Sequence, residues 1–280
     1  MTDCFGRTIN YLRISVTDRC NLRCVYCMPT QGIRLIAHND ILTYDEITAF
    51  TTLAVSKGVH KVRITGGEPL VRKDLEQLIF MLSKIEGITD LSLTTNGQLL
   101  AQKASQLKSA GLQRVNISLD TLDPELYTQI TRGGSLEQTL AGIRAAQQAD
   151  LNPIKLNCVI GINHEKVERR GVLYTPIVEE NQKDQIHQFA QKEGLEVRFI
   201  HRMSLTGGHF SVVEGASGGD CAHCNRLRLT ANGMLKPCLF SDLAYNIREM
   251  GYAEALEAAL QNKPLRGAFN LSGTFYGIGG

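Results

Sequence analysis

The sequence predicts an α/β fold in which six parallel strands alternate with crossover helices, enough for a partly open barrel. Short β-branched segments recur from residue 10 to about residue 200, longer amphipathic segments separate them, and turn or cap residues mark the junctions. We place strands at residues 11–16, 61–65, 91–95, 114–119, 154–160 and 196–200. Repetition of strand and helix in this order is typical of a parallel sheet.

The helices between these strands carry their own start and stop signals. Thr43, with Glu46 three residues later, forms a capping box, and Gly58 ends that helix. In the next helix, apolar residues at helical spacing continue as far as Ile85, and Gly87 ends it. Residues 99–110 and 136–149 predict two further crossover helices. We interpret the apolar residues of these helices as part of the hydrophobic core.

Two segments interrupt the alternation. Residues 164–184 are long and charged before a helix restarts near Gln185, which indicates an inserted loop or turn. Residues 203–220 are rich in Gly and Ser and predict a flexible linker. We therefore divide the chain into a barrel of residues 1–203 and a linker with a C-terminal segment, residues 204–280.

Composition excludes several classes of function. The chain has 280 residues, of which 43 % are hydrophobic and 21 % charged, as in a protein with a sizeable core. No apolar run approaches the roughly 20 residues that cross a bilayer, and the polar start is unlike a signal peptide, so we expect a cytoplasmic protein. With 30 basic and 28 acidic residues, the net charge of +2 favours neither nucleic acid nor a membrane surface as a partner.

Eight cysteines in a chain of this kind are expected to be metal ligands, because the cytosol keeps thiols reduced. We call Cys20, Cys24 and Cys27 the first cysteine group, and Cys221, Cys224 and Cys238 the second cysteine group. Cys4 and Cys158 stand alone, and we expect them to be packing residues.

The first cysteine group follows directly after the first strand, at the edge where parallel sheets place their ligands. Three thiolates can hold three irons of a 4Fe-4S cluster and leave the fourth iron open to a small molecule. S-adenosylmethionine can chelate that iron, and an electron from the cluster then cleaves its C–S bond. The alternative is structural zinc, which usually has four ligands and fits this spacing poorly.

The second cysteine group lies beside two arginines, Arg226 and Arg228. If this segment is extended, both side chains point to the same face. Two forked and permanently charged donors beside a metal site indicate a polyanionic substrate. The alternative here is a zinc knuckle with His223 as its fourth ligand.

The cysteine spacing, with Tyr26 ahead of the last cysteine, resembles the radical S-adenosylmethionine superfamily, as does the Gly-Gly-Glu-Pro segment at residues 66–69. The Phe-Gly-Arg at residues 5–7, residues 11–20, residues 224–238 and the final Gly-Gly are together similar to the GTP 3',8-cyclase family. The likeness covers residues 1–160 and 221–240. It implies an incomplete (βα)6 TIM-like barrel of the radical SAM type with a small C-terminal iron-sulfur cluster-binding segment.

The same resemblance implies two 4Fe-4S clusters, one in each cysteine group, with S-adenosylmethionine at the first and GTP at the second. The residues that match the S-adenosylmethionine site are Tyr26, Gly67, Ser118 and Met203. The residues that match the GTP site are Arg13, Arg63, Thr94, Lys155, Arg198, Arg226, Leu227 and Arg228. Catalytic roles are implied for Arg13, Gly279 and Gly280.

The implied reaction is the first step of molybdopterin cofactor biosynthesis. A radical takes hydrogen from the ribose C3' of GTP, and the C3' radical attacks C8, which gives (8S)-3',8-cyclo-7,8-dihydroguanosine 5'-triphosphate. Implied partners are a low-potential electron donor and the downstream cyclic pyranopterin monophosphate synthase, and the implied assembly is a monomer or a homodimer.

The chain departs from the family pattern in two places. About twenty residues separate Ile200 from Cys221, where the family carries several dozen more, and the charged insertion at residues 165–183 is unlike the family. Two alternatives follow. One is another radical SAM enzyme with an auxiliary cluster, such as a peptide modifier, and the other is a non-catalytic, shortened paralogue that binds metal or carries electrons.

Overall fold

One nine-stranded sheet organises the part of the chain that the structure describes. This computed structural model describes residues 1–29, 31–161, 167–169, 172–174, 180–271 and 275–278. The strands are β1 (Tyr11–Ser15), β2 (Lys61–Thr65), β3 (Asp90–Thr95), β4 (Arg114–Ser118), β5 (Lys155–Ile160), β6 (Val167–Arg169), β7 (Val172–Tyr174), β8 (Glu196–His201), β9 (Arg226–Leu229), β10 (Met234–Lys236) and β11 (Tyr245–Asn246). Strands β6 and β7 form a separate antiparallel pair.

The order of strands in the main sheet is β11-β10-β9-β1-β2-β3-β4-β5-β8. Strands β1 to β5 and β8 are parallel neighbours, and β9 joins β1 in parallel from the other side. Strands β10 and β11 are antiparallel. The order ends at β11 and β8, so the described strands form an open, barrel-like arrangement. The predicted α/β class and all six predicted strands are confirmed.

The first six helices of the chain supply the crossovers between the parallel strands, and the last three follow the final strand. The helices are α1 (Tyr44–Ser56), α2 (Leu75–Ser83), α3 (Leu100–Ser109), α4 (Pro124–Thr131), α5 (Leu136–Gln148), α6 (Glu180–Glu193), α7 (Ile247–Met250), α8 (Tyr252–Gln261) and α9 (Phe275–Ile278). Among the helices described, none has the length and apolar character that a membrane span requires.

The core lies between the sheet and these helices. Alternate residues of strands β1 to β5 point to the helix side, and these are mostly apolar and buried. Leu12 and Ile14 of β1 lie beside Val62 and Ile64 of β2, and all four are at most 1 % exposed. The remaining strand residues point to the opposite, inner face of the sheet and are mostly polar.

Three sequence expectations about helices need correction. Helix α2 already ends at Ser83, and Gly87 lies in the turn beyond it. Helix α6 begins at Glu180 instead of near Gln185. Helix α4 was not expected, although Asp123 before Pro124 is an N-cap signal: its Oδ1 accepts hydrogen bonds of 2.9 Å from the two backbone amides at residues 125 and 126.

Residues 203–220, predicted as a flexible linker, are hydrogen-bonded to β8 and within themselves. Phe199 and Glu214 exchange two backbone hydrogen bonds of 3.2 and 3.0 Å, and Ser204 and His209 exchange two of 2.9 and 3.1 Å. Strand β9 then enters the sheet beside β1, so the C-terminal segment extends the same sheet. Of the charged insertion at 165–183, the structure describes the backbone of β6 and β7 and the start of α6.

The capping box at the start of α1 is confirmed and gives a stability prediction. Thr43 Oγ1 accepts the Glu46 amide at 3.2 Å, and Glu46 Oε2 accepts the Thr43 amide at 2.7 Å. Thr43→Ala removes the cap and should cost about 1 kcal/mol of unfolding free energy, or about 2 °C in thermal unfolding midpoint. Thr52→Ala, an exposed site inside α1, is the control and should change the midpoint little. Equal midpoints for the two variants would contradict the assigned cap.

Candidate active site

The inner face of the sheet is built by the strand register. Tyr11 of β1 lies beside Lys61 of β2 and Arg226 of β9. Because neighbours in a parallel register share a face, these three side chains line one layer near the amino ends of the strands. The next layer is formed two residues further along each strand.

That second layer carries four arginines on neighbouring strands. The register places Arg228, Arg13, Arg63, Ser92 and Arg114 side by side on strands β9, β1, β2, β3 and β4. Arg114 is paired with Asp90 through two hydrogen bonds of 2.8 and 2.7 Å. Arg63 contacts Ser92 at 3.3 Å, and its guanidinium carbon lies 5.4 Å from the centre of the Tyr11 ring.

Further layers continue toward β8. Thr94, Asn116, Lys155 and Glu196 are neighbours in register, as are Ser118, Asn157 and Arg198. Lys155 forms a salt bridge with Glu196. The structure therefore brings the predicted GTP-site residues Arg13, Arg63, Thr94, Lys155, Arg198, Arg226 and Arg228 onto one face.

Mutual repulsion and burial perturb these cations. Burial, and then the charges of Arg13, Arg114 and Arg198, lower the pKa of Arg63 to about 9. Burial and the neighbouring Arg13 and Arg226 lower the pKa of Arg228. Concentrated positive charge of this kind attracts an anion, because an anion relieves the repulsion among the guanidinium groups.

Tyr11 is a member of this face that the sequence did not single out. Burial would raise the pKa of its hydroxyl, but the charges of Arg13, Arg63, Arg226 and Arg228 outweigh burial and lower that pKa. The alternation of Tyr11 with Arg13 along β1 was the available signal. A tyrosine in a strand is more often packed than functional, so the alternation alone did not identify it.

Buried polar atoms without a partner concentrate on the inner face. Among described residues, eight side-chain N or O atoms are buried with no hydrogen-bond partner. Six of them belong to inner-face residues: Tyr11, Arg13, Thr94, Arg114, Asn116 and Arg198. Such atoms cost free energy unless they are satisfied, so this face has the character of a binding site for a polar, anionic ligand.

Leu227 differs from the other predicted GTP-site residues. The prediction that Arg226 and Arg228 share a face in an extended segment is confirmed by β9. The same alternation turns Leu227 to the opposite face, where it is fully buried in the apolar core. Its side chain therefore does not line the site.

The first cysteine group lies in a loop that docks on α4. The amides of Arg23 and Val25 donate to the carbonyls of Thr131 and Ile130 at 3.0 and 2.9 Å. Arg132 donates to the carbonyl of Met28 at 2.8 Å from the end of the helix. The helix missing from the sequence prediction thus holds this loop.

The three thiols of this group interact with one another. Burial raises the pKa of Cys27 to about 12, and Cys20 adds to the effect. Burial, Asp120 and the other two thiols raise the pKa of Cys24. Cys20 Sγ accepts the amide of Leu22 at 3.4 Å. Three adjacent thiolates need compensating positive charge, which bound iron supplies, so this donor set fits an iron-sulfur cluster.

The Gly-Gly-Glu-Pro segment packs against the residues that lead into Cys20. The amide of Gly67 donates to the carbonyl of Thr17 at 2.7 Å, and that of Glu68 donates to the carbonyl of Arg19 at 2.8 Å. A Cβ on Gly67 would lie 2.3 Å from the Arg19 carbonyl oxygen, so only glycine fits. This close approach ties the end of β2 to the cysteine loop.

The remaining residues predicted for S-adenosylmethionine lie near the carboxyl ends of the strands. Tyr26 donates to Asp120 Oδ2 at 2.8 Å, just beyond Ser118 at the end of β4. Burial raises the pKa of Asp120 to about 6, although this hydrogen bond and the Val159 amide oppose the shift. Met203 follows β8 and is half-buried.

The second cysteine group lies in a positively charged environment. The amide of Cys224 donates to the carbonyl of Cys221 at 3.3 Å. Burial would raise the pKa of Cys224, but the charges of Lys263 and Arg226 outweigh it and lower that pKa to about 7. His223, the zinc-knuckle alternative for a fourth ligand, is 80 % exposed, and its Nδ1 lies 2.6 Å from Asp220.

The two cysteine groups belong to opposite ends of the sheet. Cys20 follows the carboxyl end of β1, whereas Cys224 precedes the amino end of β9, which is parallel to β1. The cationic inner face lies between these two ends. Gly279 and Gly280 lie outside the described residues.

Within the described ranges, no three His, Cys, Asp or Glu side chains converge on one point as ligands of one ion. Ligands of a four-iron cluster each bind a different iron and need not converge in that way.

Two family models match the chain. The Radical SAM superfamily model matches residues 14–173, and the Molybdenum Cofactor Synthesis C model matches residues 160–269. A GTP 3',8-cyclase from Petrotoga mobilis is 40 % identical and aligns with 95 % of this chain and 94 % of its own length. A GTP 3',8-cyclase from Peptoclostridium acidaminophilum is 43 % identical and aligns with 86 % of this chain and 84 % of its own length.

Solved structures share the fold at low sequence identity. Streptococcus suis SuiB bound to S-adenosylmethionine is 16 % identical, with a TM-score of 0.58 over 93 % of this chain and 67 % of that chain. Native anSMEcpe with bound AdoMet is 14 % identical, with a TM-score of 0.61 over 90 % of this chain and 81 % of that chain. Both likenesses concern the fold alone.

The unpartnered hydroxyl of Tyr11 predicts an unusual response to mutation. Tyr11→Phe removes a buried group with no partner in the described chain, so we expect the unfolding free energy without ligand to stay within about 0.5 kcal/mol or to rise. Tyr127→Phe is the matched control. Its hydroxyl lies 2.7 Å from Thr139 Oγ1, and its loss should cost about 1 kcal/mol or more. Denaturant titration checks both, and a larger loss for Tyr11→Phe would contradict the assignment.

Proposed function

The chain belongs to the GTP 3',8-cyclase family of the radical S-adenosylmethionine superfamily. From this premise we propose which of its residues bind the cofactor, the clusters and the substrate. It is an enzyme, a lyase that acts on GTP in the first step of molybdenum cofactor biosynthesis. Its chemistry uses S-adenosylmethionine and iron-sulfur centres. The observation that carries the proposal is the cationic inner face between two groups of free cysteines.

The first cysteine group would hold the cluster that binds S-adenosylmethionine. A cluster bound there would supply, when reduced, the electron that cleaves the C–S bond of S-adenosylmethionine, and so would start the removal of hydrogen from the ribose C3' of GTP. We propose that Tyr26, Gly67, Ser118 and Met203 line the S-adenosylmethionine site. All four follow or end strands on the side of the sheet where Cys20 lies.

We propose that the inner face binds the triphosphate. Arg13, Arg63 and Arg198 are buried or half-buried among other cations, and no ion pair with a carboxylate is found for them in the described chain. A triphosphate would neutralise this charge and satisfy the unpartnered donors together. Thr94, Lys155, Arg226 and Arg228 would complete the site, with Lys155 held in place by Glu196. Arg13, nearest the middle of β1, is our candidate catalytic residue.

The second cysteine group is proposed to hold a second 4Fe-4S cluster, close to the base of GTP. Its position at the amino ends of the strands supports this, because GTP on the inner face would then lie between the two clusters. The free, charged state that Lys263 and Arg226 favour for Cys224 is the state that binds iron. We further propose that residues 1–203 and 204–280 are the two functional parts of the chain.

Several finer points of the proposal rest on the family alone. They are a low-potential electron donor, transfer of the product to a cyclic pyranopterin monophosphate synthase, and a role for Gly279 and Gly280 near the ribose. The free state of all eight cysteines fits the reducing cytoplasm as the place of action.

Iron content tests the number of clusters. We expect anaerobically reconstituted protein to bind about eight irons per chain, and the Cys20→Ser, Cys24→Ser, Cys27→Ser variant to bind about four and to release no 5'-deoxyadenosine. The equivalent triple variant of the second cysteine group should also bind about four, yet still cleave S-adenosylmethionine. Stoichiometric zinc in the C-terminal part, with about four irons in the parent, would refute the second cluster.

Nucleotide affinity tests the inner face. Arg198→Ala removes one charge-assisted contact worth about 1.5 to 3 kcal/mol, so GTP should bind roughly ten- to hundredfold more weakly, with S-adenosylmethionine binding intact. Arg144→Ala removes an exposed arginine on α5 and serves as the control. Calorimetric titration measures both, and parent-like GTP affinity of Arg198→Ala would show that the triphosphate lies elsewhere.

A further inference from the structure

Two buried cations flank the second cysteine group and are not among the residues proposed above to bind GTP or S-adenosylmethionine. Arg7 is 9 % exposed and Lys263 is 2 % exposed. Buried cations are expensive unless they are hydrogen-bonded and face negative charge. Their surroundings therefore indicate what they do.

Arg7 joins the start of the chain to the second cysteine group. Its Nη1 donates to the carbonyls of Cys221 and Leu265 at 2.8 and 2.9 Å, and its Nη2 donates to that of Pro264 at 2.8 Å. Its Nε donates to Asp3 Oδ2 at 2.6 Å. All three guanidinium nitrogens therefore donate hydrogen bonds. One of these bonds holds the backbone at Cys221, which lies 214 residues further along the chain.

Asp3 orients this guanidinium group. Its Oδ1 also accepts the amides of Phe5 and Arg7, each at 3.0 Å. Burial would raise the pKa of Asp3, but these donors and the Arg7 charge outweigh it and lower that pKa. The N-terminal turn therefore fixes the orientation of the Arg7 side chain.

Lys263 reaches the other two cysteine segments. Its Nζ donates to the carbonyl of Arg226, two residues beyond Cys224, at 2.8 Å, and to that of Pro237, which directly precedes Cys238. Because Lys263 is adjacent to Pro264 and Leu265, the acceptors of Arg7, the two cations belong to one connected network. Each of the three cysteines thus lies on a segment that one of these cations holds.

Charge gives Lys263 a second effect. No carboxylate among the described residues forms an ion pair with it. The acidic side chains that interact with its charge are the thiols of Cys224 and Cys238. A buried ammonium group beside these thiols would partly offset the negative charge of a cluster that they hold.

We propose that Arg7 and Lys263 are the positioning residues of the second cysteine group. They hold its three segments at the separation that a cluster requires, and Lys263 stabilises the additional negative charge when that cluster is reduced. This inference rests on the second cluster of the proposed function.

The test uses the Cys20→Ser, Cys24→Ser, Cys27→Ser background, in which only the second cluster remains. Arg7→Met and Lys263→Met should lower its iron content from about four per chain to below about one. In the otherwise intact chain, both variants should keep the first cluster and cleave S-adenosylmethionine. Any second cluster that Lys263→Met retains should have a lower reduction potential than the parent in an EPR-monitored titration, because a positive charge has been removed beside it.

Arg248→Met is the matched control. Arg248 also pairs with one carboxylate, Glu46, and donates to two carbonyls, those of Asp40 and Ile41, but it contacts none of the cysteine segments. Because Arg248 is exposed, this variant should lose less stability than Arg7→Met, and its iron content and reduction potential should not change. Asp3→Asn is the milder variant should Arg7→Met fail to fold, and it should also lower iron retention relative to Arg248→Met.

Two outcomes separate the possible failures. If the triple-serine parent binds no iron, the second cluster itself is refuted. If that parent binds about four irons, and the Arg7, Lys263 and Asp3 variants keep both its iron and its reduction potential, the positioning role is overturned while the second cluster stands.

Discussion

The alternation of side chains along the parallel strands is the constraint on which the rest of the structure depends. It places Leu12, Val62 and their neighbours under the helices, and it turns Arg13, Arg63 and Arg228 to the inner face. Two unit charges about 5 Å apart repel by about 3 kcal/mol at an effective dielectric constant of about 20. Repulsion of this size is substantial against a total stability of about 5 to 15 kcal/mol, so the apolar face must offset it. An anion bound on this face would relieve the repulsion among these guanidinium groups.

The direction of the strands determines where the two cysteine groups lie. A loop that follows β1 and a loop that precedes β9 fall at opposite ends of parallel neighbours. Five residues of β1 span about 17 Å at about 3.3 Å per residue, a distance that a nucleoside triphosphate can bridge. The joining of β9 to β1 is therefore as important to the site as the cysteines, because it brings the C-terminal segment to the barrel.

Local patterns were sufficient to predict much of this arrangement. The six strands, the capping box at Thr43 and the shared face of Arg226 and Arg228 are all short-range features, and the structure bears out each of them. The two cysteine groups as cluster ligands remain a prediction. The side chain of Leu227 lies in the core, because the alternation along β9 decides which side chains face the site, and the place of Leu227 among the GTP-site residues stays a prediction. Helix α4 was overlooked because its Asp123-Pro124 start is brief and its sequence only eight residues long.

Contacts between distant parts of the chain could not be predicted in this way. The hydrogen bond from Arg7 to Cys221 spans 214 residues and that from Lys263 to Arg226 spans 37, and no periodicity indicates either partner. The composition of residues 203–220 suggested a linker. Their backbone hydrogen bonds to β8 depend on tertiary packing, which composition does not show. Tyr11 became a candidate only when the register placed it among arginines.

The central claim is that GTP on the inner face presents its ribose to the radical formed at the first cysteine group. GTP deuterated at C3' measures this directly in an anaerobic incubation with S-adenosylmethionine and a low-potential reductant. The 5'-deoxyadenosine released should carry one deuterium, and the cyclised nucleotide should appear with it. Unlabelled 5'-deoxyadenosine together with unchanged GTP would show that the ribose does not meet the radical.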